Sequence, residues 1–241
     1  MLKDLNNKSQ TTRVLVCADS FGVPDAEFPG LHWIEKILNV SADIEVCNMS
    51  YGGCSNALIV LQLLQGLRLK PDFVVLSFTN ENRYEIDKDI NAVPTYFTAM
   101  ELRDYCHRRY TTNRRTLVDN IDPSTLKLIE SWMVGASSEN FEKLKNYFFI
   151  CFCLMTLKTQ NIPFCFSLGG FEYKQDYNAL INSNYLQNFV IDYADNELKT
   201  NLWFYQNNKE TPGFHVDNDQ VLTLFANECI EFIQNKVIKL K

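Results

Sequence analysis

The chain has 241 residues, 46% hydrophobic and 13% aromatic, with a formal net charge of −6. That is enough apolar side chain for a large core, and the acidic balance argues against a general nucleic-acid binder. The first ten residues are polar and lack the apolar centre of a signal peptide. With no repeat, low-complexity tract or linker-like composition shift, residues 1–241 read as one domain.

The first element is the run RVLVCADSFG (13–22), in which a β-branched apolar stretch stops at Asp19-Ser20 and a glycine follows. A hydroxyl there sits at the carboxyl end of a strand, the edge where open α/β sheets bind ligands. Ser20 is therefore a candidate nucleophile, and the competing reading is a helix N-cap. A second short strand pattern, residues 43–47, leads into NMSYGGCSN (48–56), and residues 57–69 then read as an amphipathic helix that Ser55 or Asn56 could cap. The pair Gly52-Gly53 is either a plain turn or a place where a backbone N–H approaches a ligand closely. The segment PDFVVLSFTNE (71–81) reads as a buried strand that ends in polar groups, with Asn80 at the sheet's carboxyl edge.

Beyond it the pattern turns helical, with helices predicted over 95–110, 122–132 and 139–158, a helical insertion over about 84–160 that would lie across the carboxyl edge. Arg103, His107, Arg108, Arg109, Arg114 and Arg115 form its densest positive cluster. They read either as a solvated, salt-bridged face or as an anion-binding patch for carboxylates, sulfates or phosphates. Arg83-Tyr84-Glu85 offers an internal ion pair. Residues 147–157 are the most apolar stretch, yet fall short of the roughly 20 residues a membrane span needs, so a buried helix is expected. Residues 162–168 read as a fourth strand and 202–205 as a fifth. PGFH (212–215) precedes a terminal helix over 221–237 and supplies His215, either a base or a helix-capping histidine, with Asp217 and Asp219 as the expected N-cap residues.

In chain order, Ser20, Gly53, Asn80 and His215 resemble the four marker residues of the SGNH (GDSL-type) hydrolase family. The first block is Ala18-Asp19-Ser20, with alanine for the usual glycine, and the second is Gly53 in Gly-Cys-Ser-Asn. Phe78-Thr79-Asn80-Glu81 stands where the family has Gly-x-Asn-Asp, and Pro212 stands where its aspartate precedes the histidine by three. The resemblance implies a three-layer α/β/α, flavodoxin-like parallel sheet, and a serine-dependent esterase or acyl hydrolase acting on acylated carbohydrates, lipids or small esters. No metal and no organic cofactor are implied. The N–H groups of Ser20 and Gly53 and the Asn80 amide would form the oxyanion hole.

The chemistry requires these groups together. A serine hydroxyl is a poor nucleophile until a base takes its proton, and the developing oxyanion needs fixed donors. An acid normally orients the histidine; Glu210, Asp217 and Asp219 lie nearby in sequence, and Glu210 is the preferred substitute for the residue that Pro212 displaces, the two aspartates being more simply N-caps. The alternatives are a catalytically inactive SGNH-like binding or structural module, and an unrelated small-ligand binder using the same edge. Eight cysteines without a CxxC pair, several of them in predicted core segments, read as reduced thiols in a reducing compartment, with no zinc site.

Overall fold

Apolar runs without polar alternation make strands covered on both faces, and the centre of this protein is built from three of them. In a computed structural model of the chain, the structure describes residues 11–24, 29–79, 83–86, 95–98, 124, 127, 131, 139–169, 193–202 and 218–237. Strands β1 (Thr12–Ala18), β2 (Ile44–Asn48) and β3 (Phe73–Ser77) pair in parallel. The next strands in the chain, β4 (Arg83–Ile86) and β5 (Thr95–Thr98), form a separate antiparallel pair. β6 (Phe164–Ser167) then joins the main sheet beside β3, giving the order β2-β1-β3-β6.

That order reverses direction at β1. Right-handed crossovers running in opposite directions from one strand must place their helices on opposite faces. Accordingly, α1 (Trp33–Val40) packs on the face made by Val14, Val16, Ala18, Phe73, Val75 and Cys165. α2 (Asn56–Gly66) packs on the other, made by Leu15, Cys17, Val74, Leu76, Phe164 and Phe166. Two further helices complete the layers: α3 (Glu139–Thr159) beside α2 and α4 (Asp219–Val237) beside α1. The result is a three-layer α/β/α fold with a parallel sheet in the middle.

The residues explain the helix ends. Ser55 accepts the Ala57 N–H at 3.1 Å and caps α2. His32 caps α1, its Nδ1 accepting the Ile34 N–H, while Glu35 reaches back to the N–H of His32 and of Gly30. α4 is capped by Asn218, whose Oδ1 accepts from Gln220 and Val221. Asp219, expected as a cap, instead lies in the first turn and pairs with Lys36 of α1 at 2.7 Å.

Three expectations are corrected. Thr95–Thr98 is a strand, not the start of a helix; its Thr-Tyr-Phe-Thr sequence favours extended backbone and finds a partner in β4. The segment between Asn80 and β6 is thus not wholly helical, and its last helix, α3, is part of the core layer. Of the predicted fifth strand over 202–205, Leu202 has helical backbone and 203–205 lie outside the described residues; among the described residues the edge beside β6 carries a single parallel bridge from Phe166 to Glu197. The apolar stretch in α3 is buried on one side only, with Tyr147, Ile150, Cys153, Leu154 and Leu157 inward and Phe148, Phe152 and Met155 exposed. No helix among the described residues is long and apolar enough to cross a membrane. Most of the predicted helix over 122–132 and the Arg103–Arg115 cluster lie outside the described residues.

Phe225 of α4 meets Trp33 of α1 edge to face, with ring centroids 5.0 Å apart and both side chains fully buried. Phe225→Ala is expected to cost about 3–5 kcal/mol of unfolding free energy, read as a lower denaturant midpoint by circular dichroism.

Candidate active site

The chain leaves β1 into a short 3-10 turn, Ser20–Gly22, and the turn is capped by Asp19 rather than by Ser20: Asp19 Oδ1 accepts the Phe21 N–H at 3.0 Å. Ser20 is therefore not the capping serine that was its competing reading. The rest of the turn is held from several directions. The Phe21 carbonyl accepts from Trp33 Nε1 at 2.6 Å and lies 3.0 Å from His32 Nε2; because His32 Nδ1 accepts a backbone N–H, Nε2 carries the proton and donates. The Gly22 carbonyl accepts from Asn48 Nδ2 at 2.8 Å. A Cβ on Gly22 would fall 2.6 Å from Ala18 Cβ and 2.7 Å from Ser50 Cβ, so only glycine fits there.

Inside this frame Ser20 is buried, and its Oγ has no hydrogen-bond partner among the described residues. Its N–H likewise donates to no described residue. Leaving a buried hydroxyl unpaired costs about 1–3 kcal/mol, which a site tolerates when the group has another use.

The neighbouring loop, between β2 and α2, is tied to the same strand end. The Ala18 carbonyl accepts the Tyr51 N–H at 3.2 Å and the Gln62 side-chain amide at 3.1 Å. Gly53 follows two residues after Tyr51, with φ +76°, in the left-handed region that a side chain would strain. Its N–H, too, donates to no described residue.

The third edge is the end of β3. Thr79 is fully buried, and its Oγ1 donates to Asp19 Oδ2 at 2.8 Å. Its backbone is gripped by Asn56, whose Oδ1 accepts the Thr79 N–H at 2.8 Å while Nδ2 donates to the Thr79 carbonyl at 2.9 Å. The same Nδ2 donates to Asn146 Oδ1 of α3 at 2.9 Å. Phe78, at the position where a glycine was expected by resemblance, turns its ring into the core between the sheet and α2/α3. Ser20 and Thr79 thus flank the point where strand order reverses, between β1 and β3, the usual ligand crevice of such sheets.

Of the predicted site residues, Ser20 and Gly53 lie on adjoining loops at this crevice. Asn80, His215 and Glu210 lie outside the described residues. Asp19, Thr79, Asn56 and the His32-Trp33 pair were not singled out as site-forming; His32 and Glu35 at capping-box spacing were a readable signal.

No protein-family model and no curated protein matches the chain. Solved structures similar to it include a lipolytic protein of the G-D-S-L family from Veillonella parvula DSM 2008, at 9% identity and TM-score 0.42, covering 92% of this chain and 97% of that one. An acetyl xylan esterase, AlAXEase, is similar at 15% identity and TM-score 0.43, covering 91% and 98%. A lipase from a goat rumen metagenome is similar at 10% identity and TM-score 0.42, covering 92% and 97%.

Among the described residues, no group of histidine, cysteine or carboxylate side chains is arranged to hold a metal ion. The core thiols are held protonated. Burial pushes the Cys17 thiol well above its ordinary value, with Cys153 and Cys54 adding to the effect. Cys153 is pushed up to about 12, by burial first and by Cys151 second. Cys165, against Cys229, is raised by burial and by that neighbour's hydrogen bond. Only the thiolate reacts, so at pH 8 Cys17, Cys153 and Cys165 are expected to stay unalkylated by iodoacetamide until denaturant is added, as mapped by peptide mass spectrometry.

Proposed function

We propose that the protein is a serine hydrolase of the SGNH type that cleaves carboxylic esters or removes O-acyl groups. The observation that carries this reading is the Ser20 hydroxyl, buried and with no hydrogen-bond partner among the described residues, in a turn at the carboxyl end of β1 whose Phe21 and Gly22 carbonyls are held. The ordered blocks around Ser20, Gly53, Asn80 and His215 support it.

In this mechanism His215 takes the Ser20 proton as Oγ attacks the ester carbonyl carbon. The N–H groups of Ser20 and Gly53 and the Asn80 amide stabilise the oxyanion; losing one such donor typically costs about 10²–10³ in rate. Collapse breaks the ester bond, and the His215 imidazolium protonates the departing alkoxide. Water, deprotonated by His215, then releases the acid and restores Ser20. Glu210 orients the imidazole in place of the acid that Pro212 displaces. Acylated carbohydrates, lipids and small esters fit this chemistry, with no metal or organic cofactor taking part. The cysteine usage is the ground for placing the protein in a reducing compartment.

A fluorophosphonate probe is expected to label the wild-type protein and not Ser20→Ala, and p-nitrophenyl acetate hydrolysis is expected to vanish in the variant. Removing an unpaired buried hydroxyl also predicts a melting temperature no lower than wild type. Silence toward the probe would favour the binding-module alternative, and a large drop in melting temperature would make Ser20 structural.

Hydrolysis is expected to rise with pH as His215 loses its proton, and Glu210→Gln is expected to slow it further. Unaided triads elsewhere lose on the order of 10⁴. Wild-type rates in Glu210→Gln at every pH would remove Glu210 from the mechanism.

A further inference from the structure

Asn56 stands at the start of α2, where an asparagine is ordinarily a cap, yet Ser55 already does that work. Its fully buried amide is spent elsewhere. Oδ1 accepts the Thr79 N–H, and Nδ2 donates both to the Thr79 carbonyl and to Asn146 Oδ1, so both donor hydrogens of the amide are used. The amide pairs with one residue's N–H and C=O as a neighbouring strand would, at the point where β3 has ended. Thr79 passes the constraint on through Oγ1 to Asp19, and Asp19 passes it to the Phe21 N–H in the turn that carries Ser20.

Resting on the serine hydrolase reading, we propose that Asn56 is a positioning residue for that site, acting through Thr79 and Asp19 to hold the nucleophile turn in register with the end of β3. The residues that would react hang on this network by single peptide bonds: Ser20 follows Asp19, and Asn80 follows Thr79. Asn146 anchors the far end on α3 and braces the amide. The network links the ends of β1 and β3 to α2 and α3, so its loss shifts one loop against the other. A misplacement of about 1 Å between reacting groups costs on the order of 10² in rate.

The test is p-nitrophenyl acetate kinetics on Asn56→Ala and Asn56→Asp, with kcat expressed per site titrated to completion by the fluorophosphonate probe. Titration counts only folded, competent sites, so a merely structural role would lower the number of sites and leave kcat per site alone. The expected result is a fall in kcat per site of about tenfold to a hundredfold with little change in KM. Asn56→Asp, which keeps an acceptor for the Thr79 N–H but sets a buried carboxylate oxygen against the Thr79 carbonyl and Asn146 Oδ1, is expected to lose at least as much as Asn56→Ala. Should neither variant fold, Asn146→Ala leaves both Asn56–Thr79 bonds in place and is expected to show a smaller loss of the same kind. Wild-type kcat per site in the variants that fold would overturn the positioning role alone. A wild-type protein that neither labels at Ser20 nor turns over would overturn the hydrolase reading and this role with it.

Discussion

A carboxylate taken wholly out of water must be met by donors, and the Asp19 side chain is met by two that fix the layout of the site. One oxygen accepts the Phe21 N–H and shapes the turn after β1; the other accepts from Thr79 and ties that turn to the end of β3. In a dry setting such bonds are costly to break. The junction between two strand ends is therefore held by a polar contact rather than by packing alone.

Around that contact the backbone carbonyls are held: those of Ala18, Phe21 and Gly22 have partners drawn from α2, α1, β2 and the β2–α2 loop. Three buried side-chain atoms beside them, Ser20 Oγ, Ser50 Oγ and Gln62 Oε1, have no partner among the described residues, and of these Ser20 Oγ stands where strand order reverses.

The sequence was most legible where the signal is local. Continuous apolar runs gave β1 and β3, an apolar period gave α4, and Ser55 gave the start of α2. It was least legible where partners are distant along the chain. Asn56 meets Thr79 and Asn146 only after the sheet and α3 have assembled, so nothing in its immediate neighbours distinguishes it from a second capping residue. Leu202 is helical rather than extended because an apolar residue suits any buried segment, and Glu197 bridges to the edge of β6. Thr95–Thr98 shows the reverse error, a run whose propensity for extended backbone was overruled by a helical reading of its surroundings.

The packing of α4 against α1 has a consequence for the order in which the protein is made. Val221, Phe225, Ala226, Cys229 and Ile233 of α4 cover the same sheet face as Trp33 and Ile37, and Lys36 and Asp219 meet across 183 positions of sequence. α1 covers only part of that face, so before residues 219–237 are in place Trp33 lacks the ring it packs against and the rest of the apolar face is open, the kind of surface that sticks to its own copies. The Ser20 turn leans on Trp33, and Trp33 leans on Phe225, so the support of the turn is complete only once α4 has docked.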